Sequence, residues 1–372
     1  MPFWRSRKAA PPLPPEKPLG LQSLLEGVPV RTTAQPATAR DSEAILFGWA
    51  MREVAPWQFQ GVPRKAAMQV YDDLNASQPC ITRFEFAHGH VSVAPKPHSV
   101  AQDEGYLYRT EKYLAFFRAV VPNLPAGFVA TLCLSVDDKP PDRTAVPVFG
   151  FQKPRGSKVL LLPDLDFLIH DFYRPNFADP YQYREKRAQA VFAGATTGTM
   201  MNASMARALG TPRLRAAAYF NGNPRVDFRL PRVVQCTEPE AHAFLSAQAF
   251  CQKPTLEWDE QFASRFLISI DGNGATCSRV AIALASNSVL LKYESDDVLY
   301  YFGGMQPWVH YVPVAESAEV EKILDLETRQ PARFEQIAAS GRRFAQDYLG
   351  REAAQRYTAL LLQAYAASFA DP

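Results

Sequence analysis

Two glycines, a short run of small polar residues and an arginine stand together in DGNGATCSRVAIALAS, Asp271 to Ser286. The apolar run RFLISI precedes the loop, and an all-apolar helical run follows it. A glycine-rich turn at the amino end of a helix presents unpaired backbone N–H groups and the positive end of the helix dipole, and both suit a phosphate. Gly272 and Gly274 let the backbone come close. Ser278 or Thr276 can cap the helix or bond a phosphate oxygen, and Arg279 adds a fixed charge with a forked set of donors. A nucleotide diphosphate is the natural guest of such a loop. An ordinary strand-to-helix turn, in which Gly272 and Asn273 only supply positive φ, explains the same residues. A third reading takes Gly272-x-Gly274, with Glu294 at the end of the next strand, as the dinucleotide fingerprint of a nicotinamide-dependent oxidoreductase. Cys277 stands where its third glycine belongs, and helices instead of β–α repeats follow.

Other residues with chemical potential lie elsewhere. Asp137 and Asp138 follow the run FVATLCLSV and precede Lys-Pro-Pro; in isolation this is a solvated turn. Asp164 and Asp166 form an acidic pair after KVLLLP and read the same way. In PWVHYVPV, Trp308, His310 and Tyr311 either line a sugar pocket or alternate into the core of a last strand. Cys277 reads as a small buried residue.

The elements that must position these groups follow from periodicity. DSEAILFGWAMREVA, with Asp41 as N-cap, and YLYRTEKYLAFFRAVVPNL, ending before Pro122, are helical. FVATLCLSV, AVPVFGF and KVLLLPDLDFL read as strands, and REKRAQAVFAGATTG passes through a strand into a Gly/Thr turn. RFLISI, SRVAIALAS and SVLLKY give β–α–β, which argues for a doubly wound parallel sheet with ligands bound where strands end. Three helical segments close the chain, with Pro331 as a first-turn proline.

Length and composition bound the whole. A chain of 372 residues, 47% of them hydrophobic, suits two globular domains with a cleft between them. Residues 1–40 are proline-rich and read as a tail or strap, in which Arg5, Arg7 and Lys8 offer at most a peripheral contact with an anionic membrane surface. With 40 basic against 38 acidic residues the net charge is +2, too balanced for a nucleic-acid-wrapping protein. Five cysteines, none spaced as CxxC, suggest neither a disulfide framework nor a zinc site. No apolar stretch would span a bilayer and the N-terminus lacks a secretory core, so a cytoplasmic location is expected.

The stretch from DGNGATCSRV to PWVHYVPV resembles glycosyltransferase family 90, which includes capsule-associated, lipopolysaccharide-modifying and Rumi-type O-glucosyltransferases. FAGATTG (Phe192 to Gly198) stands where the family has an FRG-type motif, and AVPVFGFQK adds a weaker match. The resemblance covers roughly Leu134 to Tyr348. It implies an α/β fold of GT-B type, two Rossmann-like domains facing a cleft, with residues 41–185 on the acceptor side, 186–350 holding the nucleotide sugar and 351–372 a C-terminal helix. It implies an inverting, metal-independent transfer from a UDP-sugar, with no cofactor, to a glycan or lipid-linked glycan such as lipopolysaccharide or capsule. Asp138 matches the family's base, with Asp137 as the alternative. Donor contacts carry over to Gly194, Ala195, Thr196 and Thr197, and to Gly274, Ala275, Thr276, Cys277, Ser278 and Arg279. The FRG arginine is Ala193 here and a second expected arginine falls near Ser204, so Arg207 or Arg213 must compensate or catalysis is slow or lost. A non-catalytic nucleotide-sugar or glycan-binding protein is therefore the alternative.

Overall fold

The computed structural model describes residues 39–58, 61–100, 103–141, 144–173, 178–275 and 278–369. The proline-rich tail lies outside the described residues apart from its last two positions. In chain order the first half contains α1 (Ala39–Gln58), α2 (Arg64–Ser77), β1 (Ile81–Ala87), β2 (His90–Val93), α3 (Glu104–Val120), β3 (Ala130–Ser135), β4 (Phe149–Gly150), β5 (Lys153–Pro154), β6 (Leu160–Leu161) and α4 (Leu165–Ile169). The second half contains β7 (Arg187–Ala195), α5 (Ala203–Arg207), α6 (Pro212–Tyr219), β8 (Val226–Arg232), α7 (Pro239–Ser246), α8 (Ala249–Gln252), α9 (Trp258–Phe262), β9 (Ser264–Ser269), α10 (Ser278–Ala285), β10 (Val289–Tyr293), β11 (Asp297–Val298), β12 (Val312–Val314), α11 (Ser317–Arg329), α12 (Pro331–Tyr348) and α13 (Arg351–Ala366).

Two five-stranded sheets organise this mixed α/β chain. The first runs β2-β1-β3-β4-β6: β1 pairs antiparallel with β2 and β3, while β3, β4 and β6 are parallel. The second is parallel throughout, in the order β12-β10-β9-β7-β8. In this order the chain starts in the middle, at β7, steps to one side for β8 and returns to the other for β9. The crevice beyond the C-terminal ends of β7 and β9 is thus the switch point at which ligands bind in such sheets. All of β10 and most of β9 is buried, as expected for parallel strands covered on both faces. α10 is buried through Arg279–Leu284, matching its all-apolar sequence.

One apolar cluster runs from the first sheet through α1 and α13 to α10 and to Val191, Leu267 and Leu290 of the second sheet. Buried tyrosines tie the last helix to the first sheet. The hydroxyl of Tyr357 donates to Leu161 O at 2.7 Å, and that of Tyr365 to Thr131 O at 2.5 Å. A two-stranded ribbon, β5 with β11, joins the two halves again.

Several expectations need correction. Asp41 lies within the first turn of α1 instead of capping it. The AVPVFGF and KVLLLPDLDFL strands shrink to two residues each, because prolines at their edges withhold backbone donors. The aromatic stretch before Val312 is not a strand: Trp308 has φ 63 and the strand begins at Val312. The hairpin β1–β2, the helix α2 and the strand β8 went unread. Among the described residues no helix is long and apolar enough to cross a membrane.

Trp308 and His310 are packed, at 2% and 8% exposure. The His310 ring lies 4.9 Å from Phe344, and its Nδ1 accepts the Gln306 amide at 3.0 Å. Burial pulls the imidazole from 6.5 down to about 4. A depressed folded value means the stability linked to this group is complete above about pH 6.5 and is lost as pH falls toward about 4. His310→Gln should flatten the pH dependence of the urea midpoint across that window; an unchanged slope contradicts the assignment. Tyr365→Phe, which removes the hydroxyl bonded to Thr131 O and to Tyr71 Oη, should cost about 1–2 kcal/mol in the same assay.

Candidate active site

Beyond the C-terminal ends of β3, β7 and β9 lies a cavity of about 270 Å³. Asp138 and Gln152 line it from the first sheet. Phe192, Ala193, Gly194, Ala195 and Thr197 line it from β7 and its turn, with Arg213, Arg232 and Trp258 beside them. Gly272, Asn273, Gly274, Ser278 and Arg279 complete it from the β9–α10 loop. Residues far apart in sequence meet here because both sheets end toward the same space.

The wall is built on arginine. Arg213 donates through Nε to Ile270 O at 3.1 Å, and through Nη1 to Ala195 O at 3.1 Å and Thr197 Oγ1 at 2.6 Å. Arg279 donates to Gln261 Oε1 at 2.8 Å and to the carbonyl of Ala193. Both guanidiniums lie against the Phe192 ring, at 5.3 and 4.5 Å from its centroid, and Arg279 also lies 5.0 Å from that of Trp258. Both residues are 9% exposed. Two buried, oriented positive charges on one wall make the cavity a site for an anion.

The glycine loop serves close approach and not turning. Neither Gly272, Asn273 nor Gly274 has positive φ, which corrects the simple-turn reading. A Cβ on Gly272 would run into Thr197 Oγ1 and come within 3.1 Å of the Arg213 guanidinium carbon. A Cβ on Gly274 would collide with the Gln152 carboxamide. Gln235 bridges the loops after β7 and β9, accepting from Gly198 N at 3.1 Å and donating to Asn273 Oδ1 at 2.9 Å.

Asp138, partly exposed, lines the same cavity. Arg109 Nη1 bonds its Oδ1 at 3.0 Å and also Val136 O at 2.8 Å, and Gln152 Nε2 donates to its backbone carbonyl. Its carboxylate is therefore fixed in direction by a cation on α3. The neighbouring Asp137 is otherwise engaged, accepting Tyr106 Oη–H at 2.5 Å and Lys139 N at 2.8 Å.

Asp164 and Asp166 are not a solvated turn. Asp164 is 1% exposed and caps α4, accepting the Asp166 amide at 2.8 Å. Asp166 Oδ2 accepts the Ser278 amide at 2.8 Å, so the first amide of α10 is already bonded to a carboxyl from α4. Burial raises the pKa of both groups; the Ser278 amide partly opposes this at Asp166.

The other sequence-singled residues fall as follows. Thr196 is buried and turned toward Val234, whose amide it accepts at 2.9 Å and whose carbonyl it bonds at 3.0 Å. Ala275 is buried in the core beneath the loop. Thr276 and Cys277 lie outside the described residues. Arg207 is exposed on α5 and does not line the cavity, whereas Arg213 does. Trp308 and His310 do not line it either. Arg109, Gln152, Arg232, Trp258 and the Asp166 contact were missed. No local spacing marks them, since each reaches the site through tertiary packing.

Because the atoms around Gly272 are a β-branched side chain and a thrice-bonded guanidinium, Gly272→Ala should destabilise by about 1–3 kcal/mol. Gly48→Ala, whose nearest atom would be 4.0 Å away inside α1, should instead be neutral or stabilise by up to about 1 kcal/mol. Chemical denaturation of the pair checks this.

The sequence comparisons agree with this geometry. The model of glycosyl transferase family 90 matches residues 182–370, just over half of the chain. Protein O-glucosyltransferase 2 of Danio rerio is 28% identical over 106 residues, a stretch that covers 28% of this chain and 21% of that protein. The chain thus spans about a fifth of the length of that curated relative. With the family's region reaching from just before β7 to the last helix and enclosing the arginine wall and the glycine loop, the chain belongs to glycosyl transferase family 90.

Proposed function

We propose that this glycosyltransferase moves a hexose or pentose from a UDP-sugar to a hydroxyl of a glycan acceptor, with inversion and with Asp138 as the base. One observation carries the reading: a single cavity is lined by a directed carboxylate, two buried arginines and a close-packed glycine loop.

Inversion needs the acceptor oxygen to attack the anomeric carbon from the face opposite the departing diphosphate while a base takes its proton. Asp138 takes that proton, with Arg109 holding the carboxylate in direction. The transition state is oxocarbenium-like, and negative charge grows on the leaving oxygen. Arg279, Arg213 and the backbone of Gly272–Gly274 meet that charge, so that no metal ion is called on. The first amide of α10 is not among these partners, because Asp166 already takes it. In this reading Arg213 supplies a cation that Ala193 lacks.

The same reading divides the chain into an acceptor-side part, 41–185, and a donor-side part, 186–350, in the manner of GT-B enzymes, with the last helix, Arg351–Ala366, packed on the first. The second sheet's switch point supports donor binding in the later part. Lipopolysaccharide core or capsule is the proposed acceptor, met at the cytoplasmic face of a membrane.

Release of UDP in the presence of candidate acceptors tests the proposal. Asp138→Asn should lower kcat by about 10²–10⁴-fold with UDP affinity unchanged. Turnover that survives the substitution removes Asp138 from the mechanism. In a thermal-shift series UDP should stabilise the chain with the logarithm of its concentration, and NAD should not; the reverse result favours an oxidoreductase.

A further inference from the structure

A second cavity, of about 280 Å³, is lined by α1, the segment after β5, the C-terminal part of β10 and the turn that follows β11. The mechanism above makes no use of it. Its charged lining is one-sided: Arg52, Arg155 and Lys292 contribute positive charge, and the acid among the described lining residues is Glu53. Glu53 is already neutralised, taking Lys153 Nζ at 2.6 Å and the Leu161 amide at 3.1 Å. Arg155 is oriented by its Nε bond to Ser295 O at 2.8 Å. Lys292 is 7% exposed, its ammonium 4.5 Å from the centroid of the Phe302 ring. Trp49 and Tyr311 add aromatic surface to the lining. Cationic forks beside aromatic faces suit a ring that carries a carboxylate or a phosphate.

The two cavities are neighbours. Gln152, just before β5, lines the first, and Arg155, just after it, lines the second. The Cα atoms of these two residues are at most about 10 Å apart. An acceptor of several sugars, with its reacting hydroxyl at Asp138, is the ligand that both cavities would serve. We propose that this cavity is an acceptor subsite that recognises the anionic group, carboxylate or phosphate, of a sugar adjoining the one that is glycosylated. The proposal rests on the glycosyl-transfer reading of the first cavity.

The test uses the full chain and three probes at low ionic strength: trigalacturonate, trehalose 6-phosphate and neutral maltotriose, with UDP titrated in parallel. At least one charged probe should bind tenfold or more tightly than maltotriose, and its advantage should shrink as salt is added. Whichever charged probe binds better identifies the anionic group. Arg52→Gln should weaken charged-probe binding by about tenfold, and Arg52→Gln with Arg155→Gln should abolish the preference, with UDP affinity unchanged as the check on folding. Arg52 serves as the mild variant because its side chain is exposed. Equal binding of charged and neutral probes, or a preference that survives both substitutions, overturns the proposal. Failure of UDP to bind the wild-type chain contradicts the donor reading instead, and the charge comparison is then judged by itself.

Discussion

Arg279 and Arg213 reach the C-terminal end of β7 from different helices, and both donate to its last carbonyls, those of Ala193 and Ala195. Burying two like charges against one phenylalanine ring is costly unless every nearby dipole is turned to suit them. Here Gln261, Thr197 and the carbonyl of Ile270 are so turned, and the faces of Phe192 and Trp258 cover the guanidinium planes. The bare backbone at Gly272 follows from this arrangement, because a side chain there would displace Arg213. So does the placing of the cavity at the switch point of the second sheet, where strand ends leave carbonyls for the arginines to bond.

The first half of the chain completes the site instead of merely facing it. Asp166 fixes the start of α10, the Gln152 carboxamide packs on Gly274, and the β5–β11 ribbon links the strands behind both cavities. These contacts cross from one half of the chain to the other, and the apolar cluster beneath them is continuous. A carboxylate directed by Arg109 and a wall of positive charge are thus joined by contacts between the two halves, as the proposed general-base transfer beside a departing anion requires.

The β9–α10–β10 unit was legible because three apolar runs of distinct length are separated by a glycine loop, and the fold leaves them as they read. The C-terminal helices were legible for a similar reason: their three-to-four spacing faces one core. The first half was harder. β4 and β6 are two residues long, so no alternation develops, and the hairpin turn at His88–Gly89 has no classical two-residue signal. Asp164 and Asp166 looked solvated because an acidic pair after a proline is polar by every local measure; Asp164 is buried near Tyr113 and Tyr300, and Asp166 meets the start of α10. The same limit hid Arg109, Gln152 and Trp258, whose partners lie outside any local window: Asp138 is 29 positions from Arg109, and Gln152 meets Gly274 from the other half of the chain. The missing FRG-type arginine was visible as Ala193, but the choice between Arg207 and Arg213 needed the geometry that turns one outward and the other in.

A structure with an intact UDP-sugar bound tests the central claim most directly. The account predicts diphosphate oxygens within hydrogen-bond distance of Arg279 or Arg213 and of the Gly272–Gly274 backbone, with the anomeric carbon facing Asp138. A donor whose diphosphate touches neither arginine, or whose sugar turns away from Asp138, would contradict it.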